Sequence, residues 1–137
     1  MAVDKPHNGG TWTAARKKGF IVSALRSAFQ RWGPKQQCIK NARTRRGFYE
    51  CQECKQEVPA SIINEKTGKR QSNILADHMA PIVDPSVGFV DYNTWIDRAY
   101  VEADGFQALC RACHDTKTAE ERQVATERKR REKDANR

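Results

Sequence analysis

Four of the chain's five cysteines fall into two Cys-x-x-Cys pairs, Cys51 with Cys54 and Cys110 with Cys113, and 55 residues separate the pairs. Each pair presents two sulfurs from one tight turn. Two such turns brought together form the tetrahedral thiolate set of a closed zinc site. No other feature constrains the fold as strongly, because the chain between the pairs must leave one turn and return to the other. Thiolate coordination of this kind supplies about 10–16 kcal/mol to folding, comparable with the whole stability of a small domain.

The second pair, read as Cys110-x-x-Cys113-His114, also matches the attachment site of a c-type haem. Haem attachment normally accompanies export and leaves Cys51 and Cys54 without a purpose. The start "MAVDKPHNGG" has no apolar secretory segment, and no apolar run approaches the roughly 18 residues that span a bilayer. The expected setting is therefore the cytoplasm, without a membrane partner, where thiols stay reduced and paired cysteines serve metals. Cys38 stands outside the pattern and is expected to be a small core residue.

A length of 137 residues corresponds to one domain with tails. The net charge of +8 points to a polyanionic partner, nucleic acid first, because Lys and Arg neutralise phosphates and release their counterions. The charge is unevenly spread. Residues 1–47 hold eleven Lys and Arg against Asp4 alone, residues 48–116 hold six against eleven acids, and residues 117–137 hold eight against five. An acidic middle inside a basic chain is where carboxylates can serve a metal without repelling the partner everywhere. The sequence divides into a basic helical arm (1–47), a core carrying the cysteines (48–118) and a charged C-terminal helix or tail (119–137).

Local patterns fill in the elements. After a lead-in punctuated by Asn8-Gly9-Gly10, a helix begins at Thr13, with Phe20, Ile21, Ala24, Leu25, Ala28, Phe29 and Trp32 at helical spacing. Gly33-Pro34 ends it, and a second helix runs toward Gly47. Phe48 and Tyr49 lie on a short strand entering the first cysteine turn, and the Thr67-Gly68 segment reads as a loop. The strand "NILADHMAP" follows, closed by Pro81. Asp91 or Asn93 caps a helix carrying Trp95, Ile96, Ala99 and Tyr100. "FQALC" is a strand, "RACHDTK" opens a helix, and Thr118-x-x-Glu121 reads as the capping box of a final one. The fold class is α+β.

A closed four-cysteine site has no open position for chemistry, so His114 is available for another task. Asp77, His78 and His114 supply one carboxylate and two imidazoles, enough for two groups to hold a divalent cation while a third acts as base. Taken singly, each also suits an ordinary structural role.

The segments "YECQECK", "ADHMAPIVDP", "GFVDYNTWIDRAY" and "DGFQALCRACHDTKT", in that order, resemble the HNH endonucleases, a branch of the ββα-metal or His-Me finger nucleases. The likeness is to the small zinc-containing HNH proteins of tailed bacteriophages, and it covers roughly residues 46 to 122. The resemblance implies a ββα-metal core with a structural zinc on Cys51, Cys54, Cys110 and Cys113, preceded by basic helices and followed by a C-terminal helix. It implies that His78 is the general base and that Asp77 and His114 hold a catalytic divalent ion, Mg²⁺ or Mn²⁺ or another. The substrate it implies is DNA, and in phages such proteins act beside the terminase in packaging or move as homing elements. One position departs from the family: its middle Asn is Gly105 here, and Asn93 or Gln107 is the candidate substitute. Arg111 and Lys117 flank His114 as expected phosphate contacts, with Arg43, Arg45 and Arg46 next. Two other readings stay open, a non-catalytic zinc-dependent DNA-binding or packaging accessory protein and a structural RNA-binding zinc protein.

Overall fold

The structure is a computed structural model and describes residues 2–136. The chain divides into two compact units, one ending at Trp32 and one beginning at Gly33.

In the first unit, His7 and Trp12 form an antiparallel bridge, with Gly9 and Gly10 at positive φ in the turn between them. The expected lead-in is thus a closed turn. Helix α1 spans Ala14–Phe29, and the Thr13 side chain caps it by accepting from the Arg16 amide at 3.1 Å. The helix starts where the sequence places it. Its apolar stripe is only partly covered: Phe29 is buried, while Phe20 is 63% exposed and leans on the Trp12 ring at 5.1 Å between centroids.

The second unit opens with α2, Gly33–Asn41. Pro34 sits in its first turn, where a missing N–H costs nothing. The helix stops well short of Gly47, because Arg43–Arg45 form strand β1, antiparallel to β2, Phe48–Glu50. Gly47, at φ +81°, makes the turn between them. Cross-strand pairing overrides helical preference here: the Arg45 guanidinium lies 4.0 Å over the Phe48 ring and 2.8 Å from Glu57. Strand β3, Glu57–Pro59, completes this sheet, with the first cysteine turn joining β2 to β3.

The segment expected to be loop contains a hairpin, β4 (Ser61–Ile63) with β5 (Arg70–Ser72). Asn64 Oδ1 accepts from the amides of Lys66 and Thr67 in the intervening turn, which Gly68 helps to close. Strand β6, Ile74–His78, pairs antiparallel with β7, Phe106–Cys110, in full register from Ile74↔Cys110 to His78↔Phe106.

Between those two strands the chain forms α3, Tyr92–Ala99, and a short 3-10 turn at Ala103–Gly105. Asp91 is the α3 cap, accepting from Thr94 N–H at 2.7 Å. Strand β7 leads directly into α4, Arg111–Ala135. That helix runs unbroken through Thr118, so the expected capping box at Thr118 and Glu121 starts nothing. No Gly or Pro interrupts the segment, and Thr116 returns its hydroxyl to the Ala112 carbonyl at 3.0 Å, a bond compatible with the helix interior.

Helices α2 and α4 both pack against the β6–β7 ribbon, so α2 and β1, which the sequence reading assigned to the arm, belong with the core. Trp95, Ala99, Phe106, Ala108 and Leu109 are buried, as is Cys38. Beyond its first turns α4 is held by Arg128, whose guanidinium lies against Gly88 and donates to the Pro85 carbonyl. Among the described residues, no helix is long and apolar enough to cross a membrane.

Candidate functional site

Cys51, Cys54, Cys110 and Cys113 come together with their sulfurs within 4.8 Å of one another. The first turn follows β2; the second straddles the junction of β7 and α4. Gln52 joins the two turns: its amide donates to the Ala108 carbonyl at 2.8 Å, and its side-chain oxygen accepts from the Ala108 amide. Leu109 and Val58 pack around the cysteines.

A tetrahedral ion with Zn–S bonds of about 2.3 Å needs sulfurs about 3.8 Å apart, and Cys54 Sγ lies 3.9 Å from Cys110 Sγ. The thiols respond to this crowding. Burial opposes ionisation of Cys51, but backbone amides of Cys110, Cys54 and Glu53 pull it down to about 6. Burial, then the hydrogen bonds of Cys110, Cys51 and Cys54, pushes Cys113 up to about 12. Four thiolates at this spacing need a dication to coexist, and the four cysteines are compatible with structural zinc.

His78 is the last residue of β6, at the open end of the ribbon. Its Nε2 lies 2.8 Å from the carbonyl oxygen of Ala99, the final residue of α3. A carbonyl only accepts, so Nε2 carries the proton and Nδ1 is the unprotonated nitrogen. The α3 terminus thereby gains a partner for one of its unbonded carbonyls. The ring also packs on Phe106, its cross-strand neighbour, at 4.7 Å. Burial is the main influence on the imidazole and lowers its pKa below the usual value, against the opposing pull of Ala99 and Asp77.

Asp77 points to the other face of the ribbon, as alternation along a strand requires, and meets α4. Its Oδ2 accepts from Lys117 Nζ at 2.5 Å and from Gln107 Nε2 at 3.3 Å. Lys117 Nζ also donates to the His78 carbonyl at 2.9 Å and lies 2.9 Å from Glu121 Oε1. Burial works against the Lys117 charge, but the hydrogen bonds and charges of Asp77 and Glu121 outweigh it and raise the pKa.

His114 lies three residues before Lys117 on α4, hence on the same side of the helix. Its Nδ1 is 3.4 Å from Asp115 Oδ1. Among the described residues, the four cysteines are the group of three or more metal-binding side chains that converge, and Asp77, His78 and His114 do not form a second.

Comparison with protein-family models, with curated proteins and with solved structures gave no match.

The basic residues chosen from sequence lie in different settings. Arg111 directs its guanidinium to the Ser72 carbonyl at 2.9 and 3.2 Å, fastening β5 to the start of α4. Lys117 faces Asp77. Arg43, Arg45 and Arg46 are exposed on and after β1, and Arg43 borders a groove of about 650 Å³ that Asn41, Gln52, Met79, Asp104 and Phe106 also line. Met79 and Phe106 place that groove beside His78.

Of the two substitutes for the family Asn, Gln107 reaches the site and Asn93 lies exposed in the first turn of α3. Gly105 itself contributes a backbone carbonyl that accepts from Met79 N–H at 3.0 Å. Sequence reading missed the Ala99 carbonyl, since a backbone group has no sequence signature. It also missed Gln52 and the buried Asn73, which accepts from the Arg111 amide and donates to the Pro59 carbonyl. Gln107, one of the two substitutes that sequence reading offered, lies opposite Asp77 in the strand register.

Proposed function

We propose that the chain is an HNH-type endonuclease that hydrolyses DNA phosphodiester bonds, cutting one strand or both with a divalent cation. The observation that carries this reading is the oriented His78: a half-buried imidazole at the end of β6 whose lowered pKa favours the neutral form, with Nε2–H committed to the Ala99 carbonyl and Nδ1 as the unprotonated nitrogen. The antiparallel β6–β7 ribbon, with α3 and a 3-10 turn between its strands in sequence and α4 directly after it, is compatible with the ββα arrangement that the sequence resemblance implies.

Phosphodiester hydrolysis needs a nucleophile made from water and relief of negative charge on the phosphate and the leaving oxygen. His78 Nδ1 accepts the proton of a water, and the Ala99 carbonyl steadies the imidazolium that results. Asp77 and His114 would hold a Mg²⁺ or Mn²⁺ ion, one carboxylate and one imidazole leaving most of the shell to water and phosphate oxygens. The Asp77 carboxylate already binds a cation, the Lys117 ammonium, so its chemistry suits that task. When bound, the ion supplies positive charge to the phosphate. Arg43, which borders the groove that reaches Met79 and Phe106, and the exposed Arg45 and Arg46 next to it in sequence contact the DNA backbone and give little sequence preference.

A second reading, a zinc-dependent DNA-binding or packaging accessory protein without catalysis, draws support from the same Lys117, which occupies the carboxylate that would take the ion. Plasmid cleavage separates the two. Supercoiled DNA is incubated with the protein and Mg²⁺ or Mn²⁺, with EDTA and His78→Ala as controls. Nicked or linear product from wild type alone supports the nuclease. Salt-sensitive binding with no product in any metal supports the accessory protein.

A further inference from the structure

Lys117 is surrounded by three oxygens from two elements: the Asp77 carboxylate and the His78 main-chain carbonyl at the end of β6, and Glu121 one turn along its own helix, at 2.5, 2.9 and 2.9 Å from Nζ. An ammonium has three donors and no acceptor, so this cage matches it. The contact with Glu121 differs in origin from the other two: its shielded Oε1 pairs with the ammonium at 2.9 Å from within the same helix, whereas the other two oxygens belong to β6. Lysine's flexible stem lets the ammonium pivot between the strand carboxylate and the helix carboxylate.

We propose that Lys117 is a tethered cation that competes with the divalent ion for Asp77, and that Glu121 is the carboxylate that receives Lys117 when the ion takes its place. This rests on the reading of Asp77 as a ligand of that ion. Two cations on one carboxylate repel, so the Lys117–Asp77 contact and the bound ion exclude each other, and each weakens the other by the same factor. While Lys117 holds Asp77, the half-buried carboxylate stays paired and the strand end keeps its shape. The cost is metal affinity. The site is thus set to load only when the divalent ion is abundant enough to displace the ammonium. Lys117 is in this sense a positioning residue, and its role differs from the phosphate contact expected from sequence.

The test is Mn²⁺ binding to the zinc-loaded full chain, followed by the electron paramagnetic resonance of free Mn²⁺, for wild type, Lys117→Met, Glu121→Gln, the double variant and Asp77→Asn. Lys117→Met is expected to bind Mn²⁺ roughly tenfold more tightly, the effect of removing one charge-assisted contact from the competing state. Damage to the fold cannot produce a gain in affinity, and zinc content and circular dichroism report the fold directly. Glu121→Gln is expected to weaken binding in the wild-type background and to change nothing when Lys117 is already Met, because Glu121 acts through Lys117. If Lys117→Met leaves Mn²⁺ affinity equal or lower while Asp77→Asn abolishes a wild-type site, the competition is refuted and the metal role of Asp77 stands. An equal loss from Glu121→Gln in both backgrounds overturns the transfer to Glu121. If no variant shows an Asp77-dependent site, the proposal falls together with the nuclease reading on which it rests.

Discussion

Gly105 occupies the position where the resembled family has its Asn, and the surrounding geometry explains why a side chain is excluded. A Cβ added there would lie 2.6 Å from Val101 Cγ2 and 2.8 Å from Val101 Cβ. Both are well inside van der Waals contact, and Val101 Cβ cannot be moved by a change of rotamer. The backbone must therefore shift, and it is tied at both polar groups: the Gly105 amide donates to Glu102 at 2.9 Å and the Gly105 carbonyl accepts from Met79 at 3.0 Å. Forcing extra volume into a packed site costs about 1–3 kcal/mol. A domain near 100 residues loses about 4–8 °C of Tm per kcal/mol, so Gly105→Ala should melt at least several degrees lower. Because Met79 follows His78, the displacement should also disturb the imidazole, and plasmid nicking should fall by more than the loss of folded protein accounts for. Gly105→Asn, which restores the family residue, should be worse than Gly105→Ala. Thermal unfolding by circular dichroism and parallel nicking assays measure both. A Gly105→Ala protein as stable as wild type, or a Gly105→Asn protein with raised activity, would refute the steric argument and leave Gly105 as the loss of an Asn that positions the base.

Cys110→Ser, or removal of zinc by a strong chelator, should unfold the part of the chain from Gly33 onward, since coordination is worth about 10–16 kcal/mol against a total stability of about 5–15; a native far-ultraviolet spectrum after complete metal loss would contradict this. The buried Asn73 bridges the Arg111 amide and the Pro59 carbonyl, so Asn73→Ala should cost about 1–3 kcal/mol in urea unfolding by leaving those groups unpaired, whereas an unchanged midpoint would show that water replaces it. The lowered pKa of His78 favours its neutral form in the folded protein; cleavage should therefore persist somewhat below pH 6.5 and fall only as pH drops through the folded pKa. In the stability linkage the unfolded state binds more protons between the folded pKa and 6.5, so this residue's contribution is complete above 6.5 and is lost as pH falls through that window. A cleavage profile with its acidic limb above 6.5 would show that His78 is not buried as described.

How far the sequence reached differs by element. The α1 and α3 starts were legible because Thr13 and Asp91 are local caps whose side chains serve amides three residues on. The β6 and β7 strands were legible as short apolar runs ending in polar punctuation. The β1 strand was not, because Arg43–Arg45 has no apolar alternation and exists through its pairing with β2. The Thr118 boundary failed for the opposite reason: a local capping pattern was present, but the helix had begun seven residues earlier and had no cause to stop.

At the candidate site the residue types were visible and their relations were not. Lys117 read as a phosphate contact because a lysine beside a histidine on a basic helix resembles one, yet α4 turns it onto Asp77. Arg111 likewise became a clamp on Ser72. Asp77 and His78 are adjacent in sequence, but strand alternation sends them to opposite faces, one to α4 and one to the end of α3.

The sequence alone determined the spacing of the two cysteine pairs, the polarity of the segments and the local caps, because these depend on covalent order and on contacts a few residues apart. Only the tertiary structure decided that the sulfurs converge, that Ala99 fixes the His78 tautomer and that Lys117 holds Asp77. Those three relations join groups separated by about 20 to 60 positions along the chain, and their partners include backbone carbonyls that every residue possesses. Strand register and helix packing select which of them meet.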